Sequence, residues 1–148
     1  MSLRAAEERF ARILETAPAQ LVRFSDAEAA QDAGFGRWSK KEILGHLIDS
    51  AGNNHQRFVR AQLAASLEFP AYQQTEWVTT QSYRTEAWAD LVNLWLLFNR
   101  HLLHIWRRVP EPALATPCTI GTNAPLTLEQ VLTGYVDHLE HHLEQILG

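Results

Sequence analysis

A helical hydrophobic period recurs in four long stretches of this sequence, and capping or breaking residues bound each one. The first carries Leu3, Ala6, Phe10, Ile13, Leu14 and Ala17, and is expected to end near Pro18. The second starts at Ser39. Glu42 three residues on completes a capping box, and Trp38 and Ile43 occupy the positions of a hydrophobic staple. This helix is expected to reach about Leu67, across Gly45 and Gly52, each of which weakens it by about 1 kcal/mol relative to Ala. Gly45 therefore reads as a point of close approach by a neighbouring group. The third stretch begins near Thr85 and runs to about Val109. Its seam is Trp88, Leu91, Trp95, Phe98, Leu102 and Ile105, and Pro110 and Pro112 stop it. The fourth opens at Thr127, with Gln130 completing a further capping box.

The connecting stretches are irregular. Ser25 and Glu28 form a capping box ahead of Gly34 and Gly36. Residues 68–84 read as a loop, with short β structure around Trp77–Thr79 as one option, and residues 110–126 as a proline-rich loop. No period-2 pattern of useful length occurs. Helices with no sheet to cover them must bury their stripes against one another. The expected fold is an all-α four-helix bundle with long inter-helix loops. At 148 residues the expected organisation is a single domain over 1–148, because two cores would leave each half undersized.

Composition narrows the function. The chain is 46% apolar and 20% charged, which excludes disorder as the default. Its formal charge is −4 and only Lys40 and Lys41 are lysines, so no basic face for nucleic acid is expected. Charge from Arg4 onward and the lack of a run of ~18 apolar residues predict neither a targeting segment nor a membrane span. A cytoplasmic protein is expected. Cys118 is the single cysteine, which rules out an intrachain disulfide and a cysteine-built metal site. In its proline-flanked loop it reads first as a small buried hydrophobe and second as a reactive thiol. No nucleotide-loop, serine-hydrolase or H-E-x-x-H motif is present.

Seven histidines are the unusual feature, and His138, His141 and His142 fall within five residues. The inward stripe of the last helix is Leu128, Val131, Tyr135, Leu139 and Ile146; His142 falls inside it and His138 at its edge. Positions four apart differ by only about 40° around a helix, so both rings can face one ion. This is a metal half-site, with a hydrogen-bonded pair of core-edge histidines as the alternative. His141 falls on the solvent side. His46 lies in a row with Ile43, Ser50, Asn53 and Arg57, beside an apolar stripe of Ile43, Leu47, Asn54 and Phe58. A polar row beside a buried stripe suggests a cleft between helices; a satisfied core histidine is the competing reading. His55 points away from His46, and His101 and His104 flank the third helix's seam.

Three segments, GRWSKKEILGHLIDSAGNN, EWV…QSY…W and TLEQVLTGYVDHLEHHLEQI, together resemble the DinB-like superfamily, over about Phe24 to Leu147. Its members are also described as YfiT-like metal-dependent hydrolases or thiol S-transferases. The most specific part is H-x-x-x-H in the last helix with the single histidine of W-S-x-x-E-x-x-x-H. The resemblance implies a four-helix bundle of unusual connectivity and a three-histidine metal site, which carries over to His46, His138 and His142. Three neutral imidazoles with an open position are the composition of a catalytic rather than a structural zinc site. Zinc or nickel is the expected ion, with iron and manganese also compatible with imidazole.

The function so implied is a metal-dependent hydrolase or low-molecular-weight-thiol S-transferase. The alternatives are a non-catalytic metal- or ligand-binding bundle, and an interaction module whose aromatic third helix pairs with another chain. Asp49 is the catalytic candidate, as a base or as an orienter of a histidine, although a solvated carboxylate is the simpler reading. Asn53, Asn54, Arg57 and Trp77 are the substrate-pocket candidates. Arg57 would hold an anionic group or else form a surface ion pair, and Trp77 would line the pocket or pack in the core. The expected partners are a small-molecule substrate, a thiol among the candidates, and a second copy in a homodimer, with no nucleic acid and no membrane.

Overall fold

A computed structural model describes residues 2–34 and 36–148 of the chain. Its two site-bearing helices start where their caps dictate. Ser39 Oγ accepts from the Glu42 N–H at 3.3 Å while Glu42 Oε1 accepts from the Ser39 N–H at 2.9 Å, opening α3 (Lys40–Ala61). Thr127 and Gln130 exchange the same pair of bonds at 3.2 and 2.9 Å and open α6 (Leu128–Leu147). With α1 (Leu3–Leu21) and α5 (Trp88–Trp106) these form a four-helix bundle. α3 and α1 each pack against both α5 and α6. Phe10, Leu44, Leu47, Phe58, Leu91, Trp95, Leu102, Leu132 and Leu139 are fully buried between them. Phe10 and Phe58 both meet the Tyr135 ring edge-on, and the Tyr135 hydroxyl donates to Asn99 Oδ1 across the core. Among the described residues no helix is long and apolar enough to cross a membrane.

Several boundaries differ from the sequence reading, each for a tertiary reason. α1 continues past Pro18 to Leu21. Pro18 removes one N–H but its carbonyl still accepts from Val22 at 3.1 Å, and burial of Leu21 holds the last turn. α3 stops at Ala61 rather than near Leu67. The Gln62 side chain donates to the Phe58 carbonyl at 2.9 Å, closing the helix, and Leu67 enters a strand. α5 begins at Trp88, not near Thr85, which belongs to a 3-10 turn over Tyr83–Thr85. Its first amide is satisfied from afar: the Asp26 carboxylate, at the start of the short helix α2 (Asp26–Ala30), accepts from the Trp88 N–H at 2.9 Å. The same carboxylate pairs with buried Lys41 at 3.0 Å, so one side chain ties α2, α3 and α5 together.

The expected loop at 68–84 contains a helix, α4 (Gln74–Gln81), where β structure around Trp77–Thr79 was one option. Val78 is its only buried residue and no side chain caps it, so neither a stripe nor a cap announces it. Two of the long connections are instead joined by a small sheet. β1 (Leu67–Phe69) runs parallel to β2 (Pro117–Ile120), with Leu67 opposite Cys118 and Phe69 opposite Ile120. β3 (Leu126–Thr127) pairs antiparallel to β2, Cys118 opposite Leu126. These strands are too short to display a period of two. They fasten the loops over one end of α3 and α6.

Gly45 explains itself in the packing. A Cβ there would lie 2.2 Å from the Tyr83 ring, whereas a Cβ at Gly52 meets nothing within 4 Å. Gly45→Ala is expected to lose stability by about 1–3 kcal/mol through overpacking, despite its better helix propensity. Gly52→Ala in the same helix is expected to gain up to about 1 kcal/mol. Urea unfolding of the two variants beside the parent checks both signs.

Candidate metal centre

His46 lies on the α3 face that packs against α6, and His138 and His142 lie one turn apart on the facing side of α6. The three rings converge. Their centroids stand 5.0, 4.7 and 4.6 Å apart, and each pair is close to perpendicular. His46 Nε2 and His138 Nε2 are 3.1 Å apart, and one ring nitrogen from each residue falls within 4.8 Å of the others. Nitrogens about 2 Å from a shared tetrahedral ion stand a little over 3 Å from one another, so this donor set fits a divalent ion. Among the described residues this is the one group of three metal-ligating side chains that converges in this way. No carboxylate belongs to it.

The surroundings prepare the nitrogens for that use. His46 is 1% exposed, and burial, reinforced by His138 and His142, lowers its pKa to about 4. Burial likewise lowers His138 to about 4, with His142 and His141 adding to it. Both rings are neutral at physiological pH and keep a lone pair free. Gln145 Oε1 lies 2.8 Å from His142 Nδ1, a contact that favours the tautomer with the proton on Nδ1 and Nε2 open to an ion. The Trp38 ring lies tilted over His46 at 5.2 Å and covers it. His141 is exposed, as its place on the helix predicts.

Asp49 is not a solvated carboxylate. It is 5% exposed, and its Oδ1 accepts from the Tyr83 hydroxyl at 2.6 Å and from Gln81 Nε2 at 2.8 Å. Its buried Oδ2 has no partner. Burial raises its pKa and these two hydrogen bonds oppose the rise; burial, then Asp49 itself, pushes the Tyr83 phenol well above its ordinary value. No hydrogen bond joins Asp49 to the three histidines among the described residues. Its network seats the Tyr83 ring on Gly45, one position before His46.

Arg57 is not a surface ion pair either. It is half-buried with its guanidinium 5.3 Å from the Phe69 ring centroid; its buried Nε has no partner, and no described carboxylate pairs with it. Arg57, Asn54 and Ser50 of α3 line a cavity of about 310 Å³ whose far wall is His138, Tyr135 and Gln130 of α6. Tyr72, with a phenol pushed up to about 12 by burial and then by Asp49, lines it from the segment before α4. A second cavity, of about 610 Å³, opens on the other side of the cluster, against His142, Gln145, Trp38 and Thr75.

Of the four pocket candidates, Asn54 and Arg57 line the first cavity. Asn53 does not; it is buried one position round the helix, where its amide donates to the Asp49 carbonyl. Trp77 is 40% exposed and packs on Tyr72 at 5.0 Å, outside both the cavity and the core. His55, His101 and His104 form a separate ring contact on α3 and α5, with no convergent set of three nitrogens. Cys118 is fully buried and its thiol is raised by burial, as a small hydrophobe. Sequence reasoning missed Tyr72, Gln81, Tyr83 and Gln145. Gln145 was readable as a residue one turn beyond His142; the other three lie in a segment without a periodic signal.

The four-helix bundle that carries this cluster has known relatives. The family model of the DinB superfamily matches residues 2–146, and the chain belongs to that superfamily. Among solved structures, YfiT from Bacillus subtilis is described as a probable metal-dependent hydrolase with an unusual four-helix bundle topology. It superposes with a TM-score of 0.79 at 22% identity, over 95% of this chain and 83% of that one. The mycothiol-dependent maleylpyruvate isomerase superposes with a TM-score of 0.80 at 14% identity, over 99% of this chain. This chain spans 61% of the isomerase, and at such identities the likeness is one of fold. No curated protein sequence matches the chain.

The lowered histidine pKa values have a consequence for stability. Unfolded, His46 and His138 protonate near ~6.5; folded, near 4. Between those values the unfolded chain binds more protons, so their contribution to stability is present above pH ~6.5 and is lost as pH falls toward 4. Denaturant midpoints of metal-free protein should decline across that window, and His138→Asn should show a shallower decline. Equal slopes for parent and variant contradict the assignment.

Proposed function

We propose that this protein is a metal-dependent enzyme of the hydrolase or thiol S-transferase type, with His46, His138 and His142 holding one divalent ion. The observation that carries the proposal is the convergence of three imidazole nitrogens within 4.8 Å, two of them held neutral by burial at His46 and His138, with no carboxylate to close the set. Zinc or nickel is the ion proposed, although imidazole also accepts iron, copper and manganese and the ligand type does not by itself choose among them. When bound there, the ion would supply Lewis acidity and lower the pKa of a water or thiol at its open position.

The chain's own residues do the rest. Burial keeps His46 and His138 unprotonated, Gln145 orients the His142 ring, and Trp38 covers the His46 side against water. The two cavities flanking the cluster give a small molecule and a cosubstrate separate approaches to it. In this reading Asp49 is a positioning residue: its bond to Tyr83 fixes the ring against Gly45 and so the turn that carries His46. A low-molecular-weight thiol is the favoured cosubstrate, supported by the fold shared with the mycothiol-dependent isomerase. A single, buried, unpaired cysteine is compatible with a reducing, cytoplasmic setting.

Elemental analysis of untagged protein purified without chelator should find close to one equivalent of divalent metal. The His138→Ala/His142→Ala double variant should hold almost none. Full occupancy in that variant would sink the assignment.

A further inference from the structure

The wall of the cavity beside His138 is chemically one-sided. It includes amides, hydroxyls and apolar groups, namely Asn54, Asn123, Gln130, Ser50, Tyr72 and Tyr135 among others, but no aspartate or glutamate. Arg57 is its one residue with a permanent charge. That charge is expensive to hold where it sits. A guanidinium taken partly out of water is normally compensated by a carboxylate, and none of the described carboxylates approaches it. Its Nε is sealed without a partner, and the Phe69 ring supports it on one face. Asp49, the nearby buried acid of α3, is already engaged by Tyr83 and Gln81.

We propose that this cavity binds a small carboxylate-bearing molecule, with Arg57 pairing its carboxylate and its other end lying at the histidine cluster. Placing the reacting end there rests on the metal reading above; the carboxylate contact does not. At about 310 Å³ the cavity is at the lower end of ligand-pocket sizes, which suits a small organic acid. A guanidinium presents a planar fork of donors that matches the two oxygens of a carboxylate. With no second cation on the wall, a monoanion is matched better than a phosphate dianion.

Two titrations test this, each comparing an acid with its neutral primary amide. In the first, chelator-treated protein is titrated with benzoate and benzamide by calorimetry. In the second, cobalt-loaded protein is titrated with mercaptopropionate, mercaptobutyrate and mercaptohexanoate against their amides, following the thiolate-to-cobalt absorption band. The acid is expected to bind roughly tenfold to a hundredfold more tightly than its amide in at least one titration. Arg57→Met, which keeps the apolar stem, should abolish the difference, and Arg57→Lys should restore part of it. Absence of any cobalt uptake would overturn the metal reading alone, and the benzoate comparison would then decide this one. Equal binding of acid and amide in every titration, or a preference that survives Arg57→Met, overturns the carboxylate site. So does tighter binding of inorganic phosphate than of the acids. Should Arg57→Met fail to fold, Arg57→Lys and the acid–amide comparison in the parent still decide.

Discussion

α3 is buried along most of its length because it packs against α5 on one side and α6 on the other. From residue 43 to 51 no position of this helix is left to solvent, so polar residues there have no exposed face. His46, Asp49, Ser50, Asn53 and Asn54 are all buried on it. Each must then find a partner or a use. Asn53 and Asn54 bond back to carbonyls one turn earlier, and Asp49 takes Tyr83 and Gln81. His46 faces the two histidines of α6 and leaves its Nδ1 without a partner. The close packing of α3 against its neighbours thus creates the polar interior that the candidate centre occupies.

The same packing sets the electrostatics. Three imidazoles crowded into a shielded space cannot all carry protons, so burial and mutual repulsion hold His46 and His138 neutral. A donor set of this kind attracts a cation that does not have to displace protons first. Arg57, further along α3, shows the reverse condition: a permanent charge that cannot be discharged, with no acid beside it. A cluster suited to a cation and a site suited to an anion thus border one cavity. That is the polarity a small anionic substrate would need to be held at one end and activated at the other.

Much of this was legible in advance where the signal was local. The capping boxes at Ser25, Ser39 and Thr127 are present as read. The four-residue spacing of His138 and His142 puts both on one face of α6 by helix geometry alone. The close approach at Gly45 was readable as well, though not the ring that makes it. What escaped was non-local. The first amide of α5 is capped by Asp26, 62 residues away, so no nearby side chain marks the start of that helix. α4 carries one buried residue, too few for a stripe, and β1 to β3 are too short to alternate. For Asp49 and Arg57 the sequence left a surface charge open beside a role in the site, because their buried surroundings come from segments distant in sequence.

The sequence by itself determined the four long helices, the capping boxes at Ser25, Ser39 and Thr127 and the face of α6 on which each of its histidines lies, since those follow from a period of 3.6 residues and from bonds spanning three or four residues. Only the tertiary structure decided that His46 meets His138, that Asp49 is buried on Tyr83, and that Arg57 faces a cavity without an acid. The physical reason is the range of the interactions. Caps and periodicity act within one helix, whereas burial and the pKa shifts it causes are properties of a space enclosed by several elements at once.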